Sequence, residues 1–99
     1  MTSVGIIGAS GYTGAELLRL SAGHPGLDVR VATGDTQAGA PVAELYPSLA
    51  AAYGDLRFDK FSPEACDGLD LVFLALPHGA SQDVVPEVAG RVGALVGWA

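Results

Sequence analysis

Positive charge is scarce in this chain. Five lysines and arginines stand against eleven aspartates and glutamates, giving a net charge of −6. The basic residues are scattered, so the clustered footprint that neutralises nucleic-acid phosphates is missing, and no nucleic-acid partner is expected. Cysteine is nearly absent as well. The lone Cys66 excludes an intramolecular disulfide and leads us to expect a cytoplasmic chain. The first residues lack the basic-then-apolar pattern of a secretory signal, and the apolar runs are too short to span a bilayer. No membrane partner is expected. Charged residues of both signs amount to 16%, against 49% hydrophobic residues, which suits buried parallel strands or a surface that meets something else. No repeat or low-complexity linker divides the 99 residues, so we expect one small domain over 1–99.

Glycine, by contrast, is plentiful, and three glycines stand in one turn: Gly8-Ala9-Ser10-Gly11-Tyr12-Thr13-Gly14. An apolar run, Val4-Gly5-Ile6-Ile7, precedes them, and Ala15-Glu16-Leu17-Leu18-Arg19-Leu20 follows with helical character. Strand, glycine turn and helix is the layout of a dinucleotide-binding fingerprint, here spaced G-x-x-G-x-x-G. Glycines let the backbone turn tightly and let a pyrophosphate come close. The phosphates would sit over the free amides at the helix N-terminus, so an acidic chain can still hold an anionic dinucleotide. A glycine triplet kept for packing alone is the competing reading.

Along the chain, residues 3–7 read as a buried strand and 13–22 as a helix, ended by Gly23-His24-Pro25-Gly26. Leu27 to Thr33 reads as a second strand, Gly34 to Pro41 as a glycine-rich loop. In 42–54 the alanines favour helix, while Pro47 and Gly54 interrupt it. Leu56-Arg57-Phe58 suggests a brief third strand. Ser62-Pro63-Glu64 is a helix start, with Ser62 as N-cap. Asp70 to Leu76 is the clearest strand, a nearly unbroken apolar run ended by Pro77. Residues 80–89 suit a helix troubled by Pro86, and Val92 to Val96 a last strand. Strands alternating with helices imply an α/β fold, a parallel sheet flanked by helices on both faces with right-handed crossovers. Ligands of such sheets bind at the carboxyl ends of the strands. Three loops lie there: Gly8–Gly14, Thr33–Gly39 and Leu76–Ser81.

The candidate site residues each carry two readings. Ser10, Tyr12 and Thr13 offer hydroxyls to a phosphate or to the helix end. Asp35 lies 21 residues after Gly14. A carboxylate there holds the ribose 2′-hydroxyl of NAD and repels a 2′-phosphate, or it is a solvated turn residue. Thr33 and Thr36 can meet a phosphate by hydroxyl and backbone. His78, after the strongest strand, either orients substrate or bonds a backbone carbonyl. His24 reads as a helix C-terminal residue. Cys66 lies between Glu64 and Asp67, carboxylates that would raise its pKa, so it reads as structural rather than nucleophilic.

Gly8 to Leu20, His24-Pro25, Ala38-Gly39 and Val72-Phe73-Leu74-Ala75-Leu76-Pro77-His78-Gly79-Ala80-Ser81 together resemble the N-terminal part of the N-acetyl-gamma-glutamyl-phosphate reductase family. The resemblance covers about residues 3 to 96. It implies a Rossmann-like N-terminal domain and NADPH-dependent reduction of a small-molecule acyl phosphate to an aldehyde, with release of phosphate, in arginine biosynthesis. In that family a cysteine thiolate attacks the acyl phosphate, hydride reduces the thioester, and a histidine assists. By this resemblance Gly8, Ser10, Gly11, Tyr12, Thr13 and Gly14 form the phosphate turn. Thr33, Asp35 and their loop approach the adenosine ribose. Leu76, Pro77 and His78 lie beside the cofactor. The family's reactive cysteine stands in a Gly-Cys-Tyr-Pro-type segment, and neither it nor the later histidine segment occurs here. Cys66 does not match that segment, and Gly97 stands where the family carries a carboxylate.

The resemblance therefore implies a cofactor-binding portion whose catalytic and substrate domain is absent from this chain. The 99 residues alone are expected to bind cofactor and catalyse nothing, and the full-length form to be a homo-oligomer. The lysine-pathway reductase of a carrier-bound aminoadipyl phosphate is similar over the same region. Aspartate semialdehyde dehydrogenase shares the glycine turn but not Leu76-Pro77-His78-Gly79. A non-catalytic interaction fragment is the alternative of another class. NADP follows from the resemblance, whereas Asp35 favours NAD.

Overall fold

A computed structural model describes residues 2–9, 11–34, 37–76 and 80–97, with residues 80–83 described by backbone only. Among the described residues four strands form one parallel sheet in the order β2-β1-β3-β4, with β1 Thr2–Ile7, β2 Leu27–Ala32, β3 Leu71–Leu74 and β4 Ala94–Gly97. The chain first steps from β1 to β2 on one side, then crosses to β3 on the other. That reversal puts a topological switch point between the carboxyl ends of β1 and β3.

The central strand explains why the sheet is covered on both faces. Successive side chains of a strand point to opposite sides. Val4 and Ile6 are fully buried in one apolar cluster with Leu17 and Leu18 of helix α1, Tyr12–Ala22. Ile7 is buried in the other, with Val72, Leu74, Cys66 and Val88. Val88 closes helix α4, Ala80–Val88. A strand buried on both sides reads as a continuous apolar run, as β3 and the Val4–Ile7 part of β1 do.

One expectation holds, helix in 42–54 interrupted at Pro47 and ended at Gly54, and three are corrected. Residues 42–54 break into helix α2, Val42–Leu45, a 3-10 turn, Pro47–Leu49, and helix α3, Ala50–Tyr53. Pro47 has no amide to continue α2. Leu56-Arg57-Phe58 is no strand. It lies between two partners running opposite ways, bridging Pro41 to Arg57 antiparallel and Thr33 to Asp59 parallel, so no continuous ladder forms. The Ser62 start yields a single 3-10 turn, Pro63–Cys66, in which Ser62 Oγ accepts from the Ala65 amide at 3.3 Å. Gly68, at φ +81°, turns the chain away before a helix can grow. The strand expected over 70–76 is shorter, Leu71–Leu74, although the Ala75 amide still donates to the Ile7 carbonyl at 2.8 Å. Among the described residues no helix is long and apolar enough to cross a membrane.

Candidate functional site: the glycine turn at the switch point

The three glycines of the turn do three different things. Gly8 has φ +86°, a conformation that L side chains rarely adopt. A Cβ there would also stand 2.9 Å from the Ala75 carbonyl oxygen and 3.0 Å from Leu76 Cδ2, so the turn passes hard against the end of β3. Gly14 is buried in α1, and a Cβ would lie 2.4 Å from Ala9 Cα and 2.6 Å from the Gly8 oxygen. It lets the helix press onto the turn. Gly11 differs from both. It is exposed, its φ of −89° suits any residue, and among the described residues a Cβ would meet nothing nearer than the Gly8 oxygen at 3.9 Å. Among the described residues, packing asks for glycine at 8 and 14 and leaves open space at 11.

Gly11 is also the N-cap of α1, and it has no side chain to cap the helix. The helical ladder begins with the Ala15 amide donating to the Gly11 carbonyl at 2.9 Å. The amides of Tyr12, Thr13 and Gly14 precede that bond and carry the positive end of the helix dipole. Tyr12 is 86% exposed beside them. This is an electropositive backbone edge on an acidic protein, suited to an anion that needs close approach.

Thr33 fastens the turn from the end of β2. The Gly8 amide donates to Thr33 Oγ1 at 3.0 Å, the Ala9 amide to the Thr33 carbonyl at 2.7 Å, and the Thr33 amide to the Ile6 carbonyl at 2.9 Å. Thr33 is itself buried. Its hydroxyl and both its backbone groups thus serve the turn, and Gly34 begins the loop beyond. Leu76, half-buried, packs into the second apolar cluster and against Gly8. The fold therefore gathers Gly8, Gly11, Tyr12, Thr13, Gly14, Thr33 and Leu76 at the carboxyl ends of β1, β2 and β3. Ser10, Asp35, Thr36, Pro77 and His78 lie outside the described residues.

Two tyrosines unremarked in the sequence hold this region. The Tyr46 hydroxyl donates toward the carbonyls of Ala9 and Gly11, each at 3.3 Å. The Tyr53 hydroxyl donates to the Leu18 carbonyl at 2.7 Å, and burial pushes its pKa up to about 12. The signal available was their seven-residue spacing in an apolar segment, each just before a helix breaker, Pro47 or Gly54. Phe58, buried, meets Tyr46 edge-on at 6.3 Å between ring centroids and lies under Gly34.

Cys66 is fully buried in the second cluster. Burial raises its thiol pKa, Asp67 adds to that, and Arg91 opposes it. Desolvation, rather than the flanking carboxylates, is the main reason it is no nucleophile. His24 sits just past α1, where its Nδ1 accepts the Gly26 amide at 3.0 Å.

A parallel sheet with a strand–glycine turn–helix at its switch point defines a Rossmann-like nucleotide-binding domain. Residues 3–96 match the family described as semialdehyde dehydrogenase, NAD binding domain, and the chain belongs to that family. It is 46% identical over 88 residues to the N-acetyl-gamma-glutamyl-phosphate reductase of Pseudomonas savastanoi pv. phaseolicola, covering 89% of this chain and 26% of that protein. The Acinetobacter baumannii (strain AYE) protein of the same name is 48% identical over 81 residues, 82% of this chain and 23% of that one. The chain thus spans about a quarter of the length of these curated relatives. In fold it is similar to the aspartate semialdehyde dehydrogenase of Candida albicans crystallised with NADP, with a TM-score of 0.71 at 19% identity over all of this chain and 30% of that one.

Proposed function

We propose that this chain is the NADP-binding part of an acyl-phosphate reductase that converts N-acetyl-glutamyl 5-phosphate to its semialdehyde. The observation that carries the reading is Gly11, a glycine that packing among the described residues does not require, standing exposed at the helix N-terminus. An open Cα at that point gives a pyrophosphate room to reach the first-turn amides. Ser10, Gly11, Tyr12 and Thr13 are the residues that would hold the phosphates, with Gly8 and Gly14 shaping the turn. Thr33 and Asp35, with their loop, would lie toward the adenosine ribose, and Leu76, Pro77 and His78 toward the nicotinamide. The cofactor, when bound, supplies hydride. What this chain contributes is binding and orientation. Cys66, buried and with its pKa raised, is no thiolate nucleophile, so the acyl-transfer step and the substrate contacts belong to a further domain. The names of the relatives favour the N-acetyl-glutamyl substrate over aminoadipyl or aspartyl phosphates.

Titration of the purified 99-residue chain with NADPH and NADH, followed by calorimetry, tests this. Saturable NADPH binding that falls at least about tenfold in Gly11→Val supports the reading, since a side chain at that position blocks close approach. Tighter NADH binding would give Asp35 its ribose role. A folded chain that binds neither dinucleotide, or a Gly11→Val variant that binds as well as wild type, would refute it.

A further inference from the structure

An anion site made of backbone amides works only if the neighbouring carbonyl oxygens are kept off its surface, because their partial negative charge repels phosphate. Two carbonyls of the glycine turn, those of Ala9 and Gly11, meet one hydroxyl, Tyr46 Oη, at 3.3 Å each. Building on the dinucleotide reading above, we propose that Tyr46 is a positioning residue for the cofactor phosphates. Its hydroxyl binds the Ala9 oxygen and adds to the hold on the Gly11 oxygen, which already accepts the Ala15 amide at 2.9 Å, and so helps present the Tyr12 amide outward.

Peptide geometry makes the link from carbonyl to amide. In a trans peptide the C=O and N–H of one unit point in opposite directions. The Gly11 carbonyl and the Tyr12 amide share a unit, so an oxygen held by the Ala15 amide and by Tyr46 together directs the Tyr12 N–H away from both. Tyr12, 86% exposed, lies on the outer surface. The single hydroxyl proton is shared between two acceptors, and both distances are at the long end for an O–H donor. The contact therefore orients more than it stabilises.

Tyr46 is well held for such a task. Its amide donates to the Val42 carbonyl at 2.9 Å as α2 ends, and Pro47 fixes the chain immediately after it. Its ring stands edge-on to Phe58, at 78° between planes, and Phe58 packs against Gly34 at the end of β2. One aromatic pair thus connects the phosphate turn to the start of the loop that bears Asp35. Burial raises the Tyr46 pKa, so the hydroxyl stays a donor at neutral pH.

Tyr46→Phe keeps the ring and removes the donor. In the 99-residue chain we expect NADPH to bind about threefold to tenfold more weakly, the worth of one modest hydrogen bond. The urea midpoint without ligand should stay close to that of wild type, and the Tyr12 amide resonance of the ligand-free variant should move as its peptide reorients. A variant that binds NADPH like wild type overturns the inference and leaves the dinucleotide reading standing. So does a loss of affinity matched by a fall in the urea midpoint, or with the Tyr12 amide unmoved. A wild-type chain that binds no NADPH overturns both.

Discussion

The two ends of the central sheet are built on opposite principles. At the amino end, polar groups close on one another. The Asp70 carboxylate accepts from the Ser3 amide at 2.9 Å and from the Ser3 hydroxyl at 3.1 Å, while the Asp70 amide donates to Ser3 Oγ at 3.0 Å. The Thr2 amide donates to the Gly26 carbonyl at 2.9 Å. At the carboxyl end, the carbonyls and the Thr33 hydroxyl are drawn inward, and the first amides of α1 are left outside its ladder. The same parallel strands meet loops at both ends. Side chains with their own donors and acceptors make one end self-sufficient, and glycine leaves the first helical amides of the other without a side-chain cap.

The largest expected effect separates two glycines of one turn. Gly14→Ala puts a Cβ 2.4 Å from Ala9 Cα, which is backbone and cannot swing aside. We expect a loss of about 2–3 kcal/mol, read from the urea midpoint. That is a large share of the ~5–15 kcal/mol typical of a domain. Gly11→Val should behave in the opposite sense. Its cost to the fold is about 0.5–1 kcal/mol for a poorer N-cap, whereas its NADPH affinity falls at least about tenfold. Equal stability losses at the two positions would end the distinction between a packing glycine and a binding glycine.

A smaller effect tests how the α2–α3 segment is attached to the rest of the fold. Tyr53→Phe removes the hydroxyl that donates to the Leu18 carbonyl at 2.7 Å in a buried setting. We expect about 1 kcal/mol of destabilisation in urea unfolding and little change in NADPH affinity, since Leu18 lies in mid-helix rather than at the turn. A larger change in affinity than in stability would show that the phosphate turn depends on this attachment.

How much of this was legible in the sequence depended on distance along the chain. β1, α1 and β3 rest on local signals: apolar runs broken by glycine or proline, and helical spacing of Leu17 and Leu18. The site's place at the switch point followed from the order of those elements. In residues 42–58 only the helix broken at Pro47 and ended at Gly54 was legible, because what holds the segment in place is remote. Tyr46 reaches back 37 residues to Ala9, and Tyr53 reaches back 35 to Leu18. Phe58 is held between the end of β2 and the chain at Ala40, whose carbonyl accepts its amide at 2.9 Å. The glycine spacing also concealed that Gly8 and Gly14 are demanded by packing and Gly11 is not, since a motif records identity and not the atoms around it. For Cys66 the sequence pointed to neighbouring carboxylates, and the dominant cause proved to be burial, a property of the assembled core.

The smallest effect belongs to the amino end and appears only in acid. The hydrogen bond from the Ser3 amide, then that from the Ser3 hydroxyl, lowers the Asp70 pKa below its ordinary value of 3.8. The folded state therefore binds the Asp70 proton less readily than the unfolded chain does. A depressed carboxylate contributes its stability in full above the unfolded value, and the contribution is lost as pH falls through the lowered folded one. Asp70 is exposed, so solvent screens the pair and the contribution is small. Urea midpoints of wild type and Asp70→Asn, measured from pH 7 down to pH 2.5, should run apart above about pH 4 and converge below it. Ser3→Ala should remove only the smaller part of the same difference, because it deletes the hydroxyl bond and keeps the backbone amide that lowers the Asp70 pKa most. Parallel midpoint curves across the whole range would mean that the closed end of the sheet owes its order to strand pairing alone.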